Sequence, residues 1–160
     1  MTEATHAPTG PLTGLRVLAL EQAVAGPLCT RHLADLGAEV IKIERPDGGD
    51  DTRQWGPPYA KDTQGRDTTE SAYYLSTNRG KRSVAVDLAN PEGARLVREL
   101  AKRCDVLVEN FKVGGLAKFG LAYNDLRIDS PALIYCSISA FPQNSKLNQS
   151  GGGRIRTFEA

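Results

Sequence analysis

The sequence predicts an α/β fold of the Rossmann-like kind, a largely parallel sheet with helices on both faces. Two observations carry this. Short, nearly solid apolar runs recur along the chain, and strands covered on both faces are the ones that lose the alternation of polar and apolar residues. Segments with helical spacing lie between those runs, the order in which strands and crossover helices build a parallel sheet.

The first strand is Leu15-Arg16-Val17-Leu18-Ala19-Leu20. Gly26-Pro27 follows and puts proline at a first helical position, where its missing N–H has no partner to lose. Cys29, Leu33 and Leu36 then fall at i, i+4 and i+7 and predict a buried helix face, with Gly37 where a left-handed residue ends the helix. Glu39 to Glu44 is the second strand. Ser83 to Leu88 is the third, with Val84, Val86 and Leu88 alternating.

Asn90-Pro91-Glu92 opens the next helix with a cap residue, a proline and an acid in the first turn. Leu96, Val97, Leu100, Ala101 and Cys104 form its predicted apolar face, and Arg95, Arg98, Glu99 and Lys102 point outward. Asp105 to Glu109 is the fourth strand and Leu133 to Ile138 the fifth, with short helical turns between 114 and 128. Residues 1–11 read as a flexible lead-in, 12–141 as the folded part, and 142–160 as an uncoupled, disordered tail after a sharp change of composition at Phe141/Pro142. The polar run from Arg45 to Ser71 reads as a long functional or mobile loop.

The 160 residues carry 20 Lys+Arg against 19 Asp+Glu, for a formal charge of +1. That balance gives no basic field for nucleic acid. The chain has no apolar run long enough for a membrane span, and no secretory signal is read in Met1–Pro11. Cys29, Cys104 and Cys136 are widely spaced, which supports neither a disulfide framework nor a CxxC site and suggests a cytoplasmic protein. With His6 and His32 as the two histidines, zinc is not expected. Neither a GxGxxG nor a GxxxxGK[ST] run is present, which removes the main support for a simple dinucleotide or P-loop site.

Ligands of parallel α/β sheets bind beyond the carboxyl ends of the strands. Glu21 to Pro27 follow the first strand and lead into a helix N-terminus suited to a phosphate. Arg45 follows the second strand, with Arg53 further along. Arg79, Lys81 and Arg82 precede the third, and Asn110-Phe111-Lys112 follow the fourth, with Lys118 beyond. An amide, an aromatic face and several cations converging on one rim would match a nucleotide with more than one phosphate. The same residues also have plainer readings, as turn, solvated surface and core.

Together these segments resemble the N-terminal part of the class III coenzyme A transferases, the family of formyl-CoA transferase, carnitine CoA-transferase and bile-acid-inducible protein F. The matching runs are GLRVLAL at 14–20, AGP at 25–27, LADLGAEVIKIERPDGGDDTR at 33–53, WGPP at 55–58 and SAYYLSTNRGKRSVAVDL at 71–88. NPEG at 90–93, DVLVENFKVGGLAKFGL at 105–121 and PALIYCSIS at 131–139 complete them.

The resemblance implies an incomplete Rossmann-like large domain, a smaller domain further along the chain in relatives, and an interlocked homodimer there. It implies CoA or acyl-CoA as substrate, with no covalently bound cofactor. Gln22, Val24 and Ala25 would lie along the CoA, Arg45 and Asn110-Phe111 would flank its nucleotide, and Lys118 would meet a phosphate at the adenosine end. Many relatives carry Arg at that last position, so the charge is kept and the bidentate fork is lost.

The family's reaction uses an aspartate that attacks the thioester and forms a mixed anhydride, which CoA thiolate resolves. That aspartate falls after the fifth strand, where PQNSKLNQSGGGRIRTFEA matches nothing of the family pattern, so no catalytic residue is assigned. The expectation is an N-terminal fragment of a CoA-transferase, inactive alone. Two alternatives are a non-catalytic CoA- or nucleotide-binding module or partner subunit, and a non-functional truncated product.

Overall fold

In the computed structural model, residues 9–140 are described. The expectations for residues 1–8 and for the tail from 142 lie outside them. The elements run β1 (Arg16–Leu20), α1 (Ala25–Asp35), β2 (Glu39–Glu44), β3 (Tyr59–Lys61), β4 (Asp67–Ser71), α2 (Ala72–Asn78), β5 (Lys81–Ala85), α3 (Pro91–Ala101), β6 (Val106–Glu109), α4 (Tyr123–Asp129) and β7 (Ile134–Ser137). Five strands form one sheet in the order β5-β2-β1-β6-β7, and every neighbouring pair is parallel. The α/β expectation holds.

Strand β1 is the centre of the sheet, and its pleat divides the core in two. Leu18 and Leu20 face one side, where they join Val97 and Ala101 of α3 and Leu126 of α4. Val17 and Ala19 face the other, with Leu33 and Ala34 of α1 packed on that cluster. A strand sealed on both faces needs apolar residues at every position, which is why this stretch reads as a solid run.

Helix α3 starts as its sequence dictates: the Asn90 side chain accepts the Glu92 N–H, and Pro91 takes the first turn. Gly93 has a spatial reason, because a Cβ there would lie 2.1 Å from the Asp87 carbonyl oxygen. Helix α1 ends with Gly37 at φ +99°, the left-handed residue expected there.

Four expectations change. Leu36 and Leu96 are 45% and 53% exposed. Helix α1 instead buries Gly26, Pro27 and Thr30, because its first turn, rather than a long leucine stripe, meets the sheet. The third strand begins two residues earlier than expected, at Lys81, since it pairs with β2 from Val40↔Lys81 to Glu44↔Ala85. It is a sheet edge, so Val84 is exposed while Val86 is buried. Finally, the polar run 45–71 is structured: a 3₁₀ turn at Asp51–Gln54 precedes the antiparallel pair β3–β4. That ribbon stands apart from the main sheet, so it needs no apolar period.

Candidate functional site

The carboxyl ends of β1, β2 and β6, with the segment after β5, surround a cleft of about 410 Å³. Leu20, Glu21 and Gln22 come from the end of β1, and Ile43 to Asp47 from β2 and its loop. Val86 to Ala89 follow β5, and Phe111 and Phe119 follow β6. The lining combines aliphatic and aromatic surface with Gln22, Arg45 and the carboxylates of Glu21, Glu44, Asp47, Asp50 and Asp87.

Of the expected residues, Gln22, Arg45 and Phe111 meet in this cleft. Asn110 stands behind it. Its Oδ1 accepts the Gln22 N–H at 2.8 Å and its Nδ2 donates to the Gln22 carbonyl at 2.7 Å, so its amide fixes the turn after β1. Gly26 permits that packing, because a Cβ there would lie 2.8 Å from Glu21 Cβ and 3.2 Å from Asn110 Cγ.

Val24 and Ala25 are outside the lining: Val24 precedes α1 and its carbonyl accepts the Leu28 N–H, and Ala25 is exposed. Lys118 is exposed on a 3₁₀ turn at Ala117–Phe119. Its Nζ lies 4.7 Å from the centre of the Phe119 ring that lines the cleft. Arg45 donates to the Gly49 carbonyl and to the Asp51 carboxylate.

The expected gathering of cations on one rim is not what forms. Arg79 bonds Asp35 at the end of α1, and Arg82 bonds Glu39 at the start of β2, so both serve the amino end of the sheet. Arg53 is held by Glu44. Lys112 lines a separate cavity with Glu109, Tyr123 and Tyr135. Lys81 is buried, donating to Glu21 at 2.8 Å, to the Pro27 carbonyl and to Asn78. The start of α1 carries the Glu21 carboxylate close behind it: Oε2 would lie 3.2 Å from a Cβ at Gly26. A negative group thus already occupies part of the field that the sequence offered to a phosphate.

Beneath the cleft runs a buried polar network that the apolar pattern gave no reason to expect. Lys42 of β2, 1% exposed at its side chain, donates to Asp50 at 2.6 Å and to Asn78 at 2.7 Å. Asn78 Oδ1 also accepts from Lys81, which joins the Lys42–Asp50 and Lys81–Glu21 pairs. Glu21 Oε1 accepts the Thr30 hydroxyl, while its Oε2 is buried without a partner.

Burial alone would raise the Glu44 carboxyl, but hydrogen bonds from Arg53, Ser83, the Asp50 N–H and Tyr74 hold it well below the usual carboxylate range. Burial likewise works against the Asp50 carboxylate, and its bonds from Lys42 and Thr52 bring it below its ordinary value. Burial lowers the Lys81 ammonium, partly offset by Glu21. The signal available in the sequence was a lysine inside an otherwise apolar strand, Val40-Ile41-Lys42-Ile43: a charge there needs a buried counter-charge.

Neither Cys29 nor Cys104 is activated. Burial pushes Cys104 up to about 11 and also raises Cys29, opposite to what a nucleophilic thiolate needs. All three cysteines are free. Among the described residues no cluster could hold a metal ion, and no helix is long and apolar enough to cross a membrane.

Comparison with known proteins agrees with this architecture. The chain is 55% identical over 133 residues to succinate–glutarate CoA-transferase of Agrobacterium fabrum, covering 83% of this chain and 33% of that protein. It is 49% identical over 142 residues to succinyl-CoA:glutarate CoA-transferase of Homo sapiens, covering 89% and 31%.

Among solved structures, a CAIB/BAIF family protein from Brucella suis superposes with a TM-score of 0.79 at 47% identity, over 87% of this chain and 36% of that one. Rv3272 from M. tuberculosis gives 0.77 at 41% identity, over 88% and 38%. The chain therefore spans about a third of the length of the curated relatives it matches. The family model of CoA-transferase family III matches residues 12–153, past the composition boundary at 141. With a parallel sheet, a cleft at its strand ends and a match over most of its length, the chain belongs to CoA-transferase family III.

Proposed function

We propose that the cleft takes the nucleotide end of CoA or an acyl-CoA, and that the chain supplies the coenzyme-binding part, residues 12–141, of an enzyme moving CoA between an acyl-CoA and a carboxylic acid. The observation that carries this is the meeting of Gln22, Arg45 and Phe111 in one cleft at the strand ends. An aromatic face opposite a guanidinium suits a purine ring, and Lys118 beside Phe119 offers a cation to a phosphate at the rim. The names of relatives pair succinate with glutarate, mesaconate and malate, which supports a short dicarboxylic acid as the acyl class.

Calorimetry with CoA and with dephospho-CoA tests the site. CoA binds, the ligand without the 3′-phosphate binds more weakly, and Lys118→Ala removes the difference; no heat with either ligand refutes the reading. By the family resemblance the nucleophilic aspartate falls after the last strand, so the purified 160-residue chain is expected to give no transfer between two CoA thioesters, and measured turnover would overturn that.

A second reading, a CoA-binding partner subunit without chemistry of its own, is favoured by the place of β7 at the end of the sheet among the described residues and by Ile128 and Ile134, 75% and 63% exposed. Under both readings we propose a cytoplasmic chain, in keeping with its free thiols, with the homodimer expected of full-length relatives.

A further inference from the structure

The turn after β1 is held from two sides, and one of its residues is held against its preference. Ala23 sits at φ +62°, a left-handed conformation that an L side chain disfavours and that persists only where the surroundings impose it. Its predecessor Gln22 is bracketed by Asn110 through both backbone groups. The Ala23 N–H goes elsewhere, to Asp50 Oδ1 at 3.2 Å. That same oxygen accepts the Thr52 N–H at 3.0 Å and the Thr52 hydroxyl at 2.8 Å, while Oδ2 takes Lys42. The Asp50 side chain is fully buried, and its own N–H donates to Glu44 at 2.9 Å. One carboxylate therefore ties the β1 turn that carries Gln22 to the loop that carries Arg45.

We infer that Asp50, charged and oriented by Lys42, is a positioning residue. It holds the Gln22–Ala23 turn in its left-handed shape, so that Gln22 and Arg45 face the cleft at fixed separation before the coenzyme arrives. Its effect on ligand rests on the CoA reading above; its effect on the turn does not. A carboxylate is required because acceptors are needed on both sides. An amide in its place has a single acceptor and must turn its NH₂ either to the Lys42 ammonium or to the donors of Ala23 and Thr52.

The test uses the full chain, with Asp50→Asn, Ala23→Gly and the double variant, amide hydrogen exchange followed by NMR, and CoA as titrant. In Asp50→Asn the Ala23 amide exchanges about tenfold faster than the loss of protection it shares with the β1 amides through the lowered global stability, and CoA binds about tenfold more weakly, the effect of losing roughly one buried hydrogen bond. Glycine takes positive φ without a clasp, so the double variant recovers most of the lost affinity. A merely structural aspartate would give no such rescue.

Unchanged Ala23 exchange in Asp50→Asn, equal loss of protection along β1, or a double variant binding as poorly as Asp50→Asn overturns the proposal. If the parent chain takes up no CoA, the coenzyme reading fails by itself and the exchange result decides the clasp. If Asp50→Asn does not fold, Ala23→Gly alone decides: relief of the strained residue raises Tm, and a lowered Tm overturns the inference.

Discussion

Replacing Lys42 by methionine keeps the volume of the side chain and removes its charge. The partners it leaves are specific. Asp50, fully buried, loses its 2.6 Å donor, and Asn78 Oδ1 keeps only Lys81 at 3.2 Å. Breaking a buried pair from one side strands the other charge, which costs about 3–5 kcal/mol. That is a large share of the roughly 5–15 kcal/mol that holds a domain of this size. With an unfolding entropy of about 2.1 cal/mol/K per residue, the loss lowers Tm by about 10–15 °C.

Urea unfolding followed by circular dichroism measures it, and the pH dependence supplies a second check. In the parent chain the Asp50 carboxyl is lowered by its partners, so it contributes stability above its unfolded pKa of about 3.9, and that contribution fades as pH falls through the folded value. In Lys42→Met the unpaired carboxylate is penalised at neutral pH and relieved by protonation, so the two curves approach each other on the acid side. A loss below about 1 kcal/mol, the range of an exposed pair, or a gap that widens in acid, refutes the assignment of Lys42 and Asp50 as a buried pair.

Glu44 gives a related acid limb. Its carboxyl is held down by Arg53, Ser83, the Asp50 N–H and Tyr74 against the opposing effect of burial, so its stabilisation is present above its unfolded pKa of about 4.3 and is lost as pH falls toward the folded value. Glu44→Gln flattens that limb in a pH series of urea midpoints. Gly93→Ala drives a Cβ to within 2.1 Å of the Asp87 carbonyl oxygen and destabilises by about 1–3 kcal/mol despite the better helix propensity, read from the same midpoints. Ile134→Lys charges β7, the end strand of the sheet among the described residues, and the apparent mass by size exclusion stops rising with concentration if that strand drives self-association.

The parallel sheet was legible because β1 is sealed on both faces: Val17 to Leu20 are apolar with no solvent-facing position to mark, and β2 and β6 carry shorter apolar runs, Val40-Ile41 and Val106-Leu107-Val108. The β3–β4 hairpin was not legible, since its strands YAK and DTTES lie outside the core and obey no burial period. Its turn was the usable signal, with the Gly65 N–H bonded to the Asp62 carbonyl and Gly65 at φ +77°.

At the site, Gln22, Arg45 and Phe111, named from the strand-end rule, line one cleft. The rule failed for Arg79 and Arg82, because charge patterning along a chain does not say which end of the sheet a side chain serves. Lys81, grouped in sequence with the cations of the rim, is an interior one in the fold, paired with Glu21 as Lys42 is with Asp50. The buried ion pairs depend on Asp50 and Asn78, which no local periodicity connects to the strands they serve.

The grip of Asn110 on Gln22 spans 88 positions of chain. During synthesis the turn after β1 leaves the ribosome long before its bracket does, so the cleft has no finished wall until β6 has been made and seated. Closing so long a stretch is entropically slow, which puts the cleft among the last features to mature. A ligand captured there would act as a report that folding had reached its end.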